Sequence, residues 1–165
     1  MELQVLAGLL AHPQGDALET LKEWSRSHPW LAEAVAELER IPLDQWQGEH
    51  TRLFLNGFPR TLAPPFMSAW NEGQMVGQGV WVLEQVYSQA GLESVDGMPG
   101  DYLGTLLAFT AHLAAHPQPP GEMDADTFKK TFIQPWIHRF IDALQQGSEL
   151  ALYRLLAARL RTQLA

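Results

Sequence analysis

The chain has 165 residues, of which 46% are hydrophobic and 18% charged, a balance typical of a globular protein and not of a disordered one. Its 19 acidic and 11 basic residues give a formal net charge of −8 at pH 7. Such a surface repels nucleic acid and anionic membranes and attracts a basic peptide. Because the chain contains no cysteine, it cannot form disulfides, thiolate metal sites or cysteine-ligated clusters.

The N-terminal segment is apolar but has no basic residues ahead of its apolar run, and Glu2 stands where a signal peptide would carry lysine or arginine. No uninterrupted apolar stretch approaches the ~20 residues that a membrane span requires. We therefore interpret this segment as a core helix. The sequence predicts a cytoplasmic protein that does not insert into a membrane.

Apolar residues recur at steps of three and four along most of the chain, a spacing that predicts helices. In one predicted helix, starting at Pro42, a single stripe carries Leu43, Trp46, His50, Leu53 and Phe54. No segment shows sustained alternation of apolar and polar residues, so no strand is predicted. We expect an all-α, single-domain helical bundle of about seven or eight helices over residues 1–165.

Three prolines, Pro59, Pro64 and Pro65, prevent this helix from continuing, since each lacks an amide proton. The residues that follow, 66–70, are expected in an ordered but non-helical connection. A long helix is predicted over residues 72–90, with one apolar face formed by Val76, Val80, Leu83 and Tyr87. Another is predicted after residue 125, with a break or kink at Pro135.

Asp101 precedes another predicted helix, running through residues 103–113, and is placed to cap its N-terminus. As a partly exposed carboxylate it could also receive an arginine from a partner through charge-assisted hydrogen bonds. The two uses are compatible.

Candidate catalytic chemistry is sparse. His112 and His116 have the four-residue spacing that begins many zinc sites, but no third ligand is evident. Glu49 and His50 are adjacent, so on a helix they point about 100° apart and cannot form an acid–base pair. We predict a protein that is not an enzyme, with no catalytic residue, metal or cofactor. Two alternatives remain. One is a metal-dependent hydrolase that uses His112 and His116, and the other is a helical protein-interaction adaptor.

Three blocks carry a family resemblance: Glu49-His50-x-x-Leu53-Phe54, Pro64-Pro65-x-x-Ser68-x-Trp70, and residues 99–107, PGDYLGTLL. Their order and spacing resemble the TorD/DmsD/NarJ family of cytoplasmic redox-enzyme maturation chaperones. The similarity extends from the first leucines to the block of Phe132, Pro135, Trp136 and Phe140.

The resemblance implies a partner and a binding surface. Members are all-helical chaperones that assist molybdenum enzymes, often by binding the twin-arginine leader peptide of the catalytic subunit until the cofactor is inserted. The apo-enzyme is commonly a second contact, and some members form domain-swapped dimers, so a monomer or a domain-swapped homodimer is expected. Carried over residue by residue, the leader-binding residues, called here the predicted patch, are His50, Leu53, Phe54, Phe66, Ser68, Trp70, Gly77, Asp101 and Tyr102.

The chain departs from the family pattern at two of these positions. Tyr102 stands where histidine usually follows the aspartate, which removes a group that titrates near neutral pH. His50 replaces a usual tyrosine or tryptophan and makes that part of the patch more polar. These departures lead to two alternative expectations: that the client of this chain is unusual, or that the protein has specialised away from leader binding.

Overall fold

The computed structural model describes residues 1–73, 77–94 and 97–164. Within these ranges the secondary structure is helical and no strand forms, apart from one isolated antiparallel bridge between Phe66 and Tyr102. This confirms the predicted all-α class. None of the described helices has the length and apolar character needed to cross a membrane.

The described residues form ten α-helical segments. They are α1 (Glu2–Leu9), α2 (Ala17–Ser27), α3 (Ala32–Leu38), α4 (Leu43–Phe54), α5 (Met67–Asn71), α6 (Gln78–Gln89), α7 (Leu103–Ala115), α8 (Ala125–Phe128), α9 (Gln134–Gly147) and α10 (Ala151–Leu164). A 3₁₀ turn, Pro29–Leu31, precedes α3, and a π-helical turn, Lys129–Ile133, joins α8 to α9.

The chain divides into two compact units. Unit 1 comprises Met1–Leu10, Pro65–Arg139 and Leu164–Ala165, and unit 2 comprises Ala11–Pro64 and Phe140–Gln163. The prediction of one domain over residues 1–165 stays a prediction.

In unit 1, α1 packs against α7, and an aromatic cluster fills the space between α6, α7 and α8. The ring of Phe109 lies 4.9 Å from those of both Tyr87 and Phe128, and Phe128 lies 5.0 Å from Phe132. These side chains are at most 7% exposed. Burial of such large apolar rings is the main force that holds this unit together.

Pro135 marks the place where the helix after residue 125 changes its winding. A break or kink was predicted at Pro135. Instead, a π turn ends two residues before this proline, and the chain continues directly into α9. Because Pro135 has no amide proton, the ordinary i to i−4 ladder cannot form through it. The indole N–H of Trp136 donates to the carbonyl of Phe132 inside the turn, at 2.7 Å.

In unit 2, the predicted apolar stripe of α4 is buried at Trp46, His50, Leu53 and Phe54, but its first residue, Leu43, is exposed. The buried part of the stripe contacts α9 and α10. The indole N–H of Trp46 donates to the hydroxyl of Tyr153 at 3.0 Å. The ring of Phe54 lies 5.3 Å from that of Tyr153 and 6.3 Å from that of Phe140. The amphipathic pattern of this segment therefore specified both the helix and its buried face.

A buried carboxylate ties α4 to the junction between α9 and α10. Glu49 is only 7% exposed and accepts two hydrogen bonds from Arg52, at 2.8 and 2.9 Å, and one from the backbone N–H of Glu149, at 2.7 Å. Arg52 also donates to the carbonyl of Gly147 at 2.6 Å. One ion pair thus satisfies backbone groups at the end of α9 and in the short connection that precedes α10.

Two segments differ from their sequence-based predictions. Residues 67–71, expected to be non-helical, form the short helix α5, and the helix predicted over residues 72–90 begins only at Gln78. Residues 74–76, including Val76 of its predicted apolar face, lie outside the described residues. Val80, Leu83 and Tyr87 are buried along one face of α6 as predicted.

Replacing Glu49 with glutamine should lower the free energy of unfolding by about 2 kcal/mol, because the half-buried guanidinium of Arg52 loses its counter-charge. Urea unfolding followed by circular dichroism measures this loss. Asp142→Asn is the matched control, since it breaks an exposed pair with Arg161 and should cost less than about 0.5 kcal/mol. Equal losses in the two variants would contradict a structural role for the buried pair.

Candidate functional site

The nine residues of the predicted patch are divided between the two units. His50, Leu53 and Phe54 belong to unit 2, and the other six belong to unit 1. Each group is described separately.

The three patch residues of unit 2 are core residues. Leu53 is fully buried, and His50 and Phe54 are 3% and 2% exposed. The imidazole of His50 packs edge-on against the rings of His12 and Phe54, with centroids 5.1 and 4.9 Å apart. These side chains shape the interior of unit 2 and do not present a surface to a ligand.

In unit 1, the segment that follows the prolines runs alongside the loop that leads into α7. The backbone N–H of Leu103 donates to the carbonyl of Pro65 at 2.8 Å, and that of Met67 donates to the carbonyl of Asp101 at 3.1 Å. These bonds flank the bridge between Phe66 and Tyr102. The second and third sequence blocks thus come together, although about 30 residues of chain separate them.

Asp101 caps a helix, but not the one predicted. The N-cap of α7 is Tyr102, whereas the carboxylate of Asp101 accepts from the backbone N–H of Ser68 at 2.8 Å, in the first turn of α5. The expected partial exposure is also wrong, since Asp101 is 0% exposed. Its Oδ1 has no hydrogen-bond partner among the described residues. Phe66, the N-cap residue of α5, has no polar side chain to accept from the free N–H groups at the start of this helix. The buried carboxylate of Asp101 accepts in its place.

Ser68 and Gly77 connect α5 to α6. Ser68 is fully buried, and its hydroxyl accepts from the backbone N–H of Gly77, the N-cap of α6, at 3.1 Å. The carboxylate of Glu72 accepts from the N–H groups of Gln78 and Gly79, at 2.9 and 3.0 Å. A Cβ on Gly77 would lie 1.5 Å from Glu72 Oε2, so glycine lets this carboxylate reach the helix. Gly77 is therefore at a helix start and not, as predicted, in a helix interior.

The aromatic residues of this region form a partly accessible pair. Phe66 is buried, Tyr102 is half-buried, and their ring centroids are 5.7 Å apart. Burial raises the pKa of Tyr102 to about 12, so its phenol is neutral at physiological pH. Tyr87 donates from its hydroxyl to the carbonyl of Gly100 at 2.6 Å and fixes the loop that carries Asp101 and Tyr102.

Trp70 is the patch residue with an unexpected partner. It is half-buried, and the guanidinium of Arg139 lies over its ring, 5.9 Å from the centroid. Arg139 also donates to the side-chain oxygen of Asn71 at 3.4 Å. Neither Arg139 nor Asn71 was predicted as a site residue, because nothing in the local sequence pattern connects residues 68 positions apart.

The alternative metal site receives little support. The rings of His112 and His116 stack with centroids 4.3 Å apart, and His116 Nδ1 lies 2.9 Å from the carbonyl of His112. In the ranges that the structure describes, no group of three or more histidine, aspartate or glutamate side chains could hold a metal ion.

Comparison with known proteins gives the family. The sequence model described as nitrate reductase delta subunit matches residues 3–142, which is most of the chain. The chain belongs to this family. It comprises NarJ/TorD-like chaperones that mature redox enzymes and are not catalysts, which confirms the resemblance seen in the sequence.

A structural comparison finds a protein of the same fold. A crystal structure from Archaeoglobus fulgidus, of a protein provisionally named as a redox enzyme maturation protein, superposes with a TM-score of 0.75 and 22% sequence identity. The alignment covers 98% of this chain and 90% of the other. At this identity the likeness shows the fold alone. No curated protein matches the chain.

Replacing Asp101 with alanine should lower the free energy of unfolding of this chaperone by about 2 kcal/mol, because the buried N–H of Ser68 loses its acceptor. Urea unfolding measures the loss. Asp16→Ala is the matched control, since Asp16 is the N-cap of α2 but its side chain makes no capping hydrogen bond. A loss for Asp101→Ala no larger than for Asp16→Ala would show that the remote cap contributes nothing.

The stability of the chaperone should fall between pH 10 and about 12 partly through Tyr102. Below pH 10.0, the ordinary pKa of tyrosine, this phenol is neutral in both the folded and the unfolded protein. Above pH 10.0 the phenol ionises first in the unfolded chain, because its pKa in the folded protein is about 12, and this favours unfolding. Tyr102→Phe should therefore show a shallower decline in unfolding free energy over this range. Denaturant titrations at several pH values test this, and parallel declines for the two proteins would disprove it.

Proposed function

We propose that the protein is a cytoplasmic chaperone that binds the twin-arginine leader peptide of a molybdenum oxidoreductase catalytic subunit. It holds the subunit before cofactor insertion and export, and the apo-form of the same subunit is a second contact. The observation that carries the proposal is an aromatic side chain, Trp70, that already accepts a guanidinium group on its face. Arginine side chains are the distinguishing feature of such a leader.

The charge of the chain supports the same partner. A leader of this class has a basic twin-arginine region followed by a moderately apolar segment. A protein of net charge −8 attracts the basic region and, through long-range electrostatics, accelerates its association. The half-buried rings of Trp70 and Tyr102 offer apolar contact to the segment that follows.

The proposal assigns different roles to the patch residues. Trp70 and Tyr102 are accessible enough to contact a peptide. Phe66, Ser68, Gly77 and Asp101 are buried and hold the backbone of that region in place. The three residues of unit 2, which are buried in its core, act on binding only by maintaining the fold. A substitution at a buried patch residue can thus weaken binding without removing a direct interaction with the leader.

Calorimetric titration with a panel of twin-arginine leaders from molybdenum enzymes tests the proposal. We expect saturable binding to at least one leader, and affinity about ten-fold or more weaker when both arginines are replaced by alanine. Binding should weaken as salt concentration rises. Equal affinity for the intact and the alanine-substituted leader would contradict recognition of the arginines, and no binding to any leader would contradict the proposed function.

The role of Trp70 has its own test. Trp70→Ala should weaken leader binding by about five-fold, because the substitution removes the apolar surface that the half-buried ring offers to the leader. Trp81→Ala is the matched control, since Trp81 is 77% exposed on α6 and lies outside the predicted patch. If the two variants bound the leader equally well, Trp70 would not be part of the binding surface.

A further inference from the structure

Arg139 occupies a position that a guest arginine would need. Its guanidinium covers the ring of Trp70, at 5.9 Å from the centroid, and one of its nitrogens donates to Asn71 Oδ1 at 3.4 Å. A planar cation over an indole, with a neutral acceptor at its edge, is a common arrangement for binding a guanidinium.

The interactions of Arg139 are weak enough to be exchanged. Both distances lie near the outer limits for their interactions, and the side chain is exposed. No carboxylate pairs with Arg139 in the described part of the chain. Departure of this side chain would therefore break no ion pair, and its charge would remain hydrated.

We propose that Trp70 and Asn71 form a guanidinium-binding subsite that Arg139 fills in the empty chaperone and that an arginine of the leader takes over on binding. The inference rests on the proposed function and names the ligand of one part of that site. Arg139 is thus an internal competitor. It lowers the affinity for the guest by occupying the subsite and by placing a positive charge beside it.

Exchange of one guanidinium for another has a definite thermodynamic consequence. The free energy released when the guest arginine stacks on Trp70 nearly equals the free energy required to lift Arg139 off the same ring. This subsite therefore adds little net affinity in the natural protein. A guest with lysine in place of arginine releases less free energy on binding, because an ammonium group does not stack on the ring as a planar guanidinium does. The competitor thus lowers the affinity of this subsite for any guest and keeps binding reversible.

The test replaces Arg139 with glutamine and measures leader affinity by calorimetry. We expect about three- to ten-fold tighter binding of the twin-arginine leader, since both the competing guanidinium and the repelling charge are removed. Arg159→Gln is the matched control, because the guanidinium of Arg159 lies 5.1 Å from the ring centroid of Trp30 in unit 2. That variant removes the same charge and the same kind of interaction, and its affinity for the leader should change less than about two-fold.

A double-mutant comparison separates competition from bulk charge. In a Trp70→Ala background, Arg139→Gln should no longer improve binding beyond the small improvement that Arg159→Gln gives. The affinity of Arg139→Lys for the leader should lie between those of the natural protein and of Arg139→Gln, because lysine keeps the charge but not the planar group. A full improvement that persists without the Trp70 ring would overturn the proposal.

A probe other than the leader distinguishes failure of this inference from failure of the proposed function. N-acetylarginine methylamide, titrated at millimolar concentration, should shift the indole N–H resonance of Trp70 more strongly in Arg139→Gln than in the natural protein. Equal shifts, or none, in both proteins would overturn the subsite even if leaders bind. The expected difference, found in a protein that binds no leader, would uphold the subsite and reject only the leader as its natural ligand.

Discussion

The hydrogen bond from the backbone N–H of Ser68 to the buried carboxylate of Asp101 is the constraint on which the candidate site depends. α5 has only five residues, too few to be stable by its own hydrogen bonds, and its N-cap residue, Phe66, offers no polar side chain. Asp101 supplies the missing acceptor from another loop and thereby fixes the turn that presents Trp70. The loop that carries Asp101 is itself held by a hydrogen bond from the hydroxyl of Tyr87 to the carbonyl of Gly100.

The same device recurs in both units. A carboxylate from one segment accepts from the free N–H groups at the start of a helix elsewhere in sequence: Glu72 for α6, Glu37 for the first residue of α10, and Glu49 for the backbone just before it. Such caps satisfy free helix N–H groups and also lock elements together, since the helix start and the acid must stay in register. They show that several acidic residues in this chain have a structural role.

The sequence was sufficient for the features that depend on local pattern. The stripe of α4 specified its buried face, and the three blocks specified the family. The remote caps were not predictable, because Asp101 and Ser68 are 33 residues apart and Glu49 and Glu149 are 100 apart. α5 was missed because a five-residue helix after two prolines shows no periodicity. In unit 1, where the patch residues follow no periodic pattern, the sequence did not separate Trp70 and Tyr102, which are half-buried, from the residues that are fully buried.

The phenol of Tyr102 has a consequence for how this protein responds to pH. With a pKa of about 12, its charge does not change over any acidity that a living cell reaches. A histidine at this position would gain a charge during acid stress and would repel a basic guest. The charge at residue 102 is therefore insensitive to cellular acidification, and this position cannot act as a pH switch.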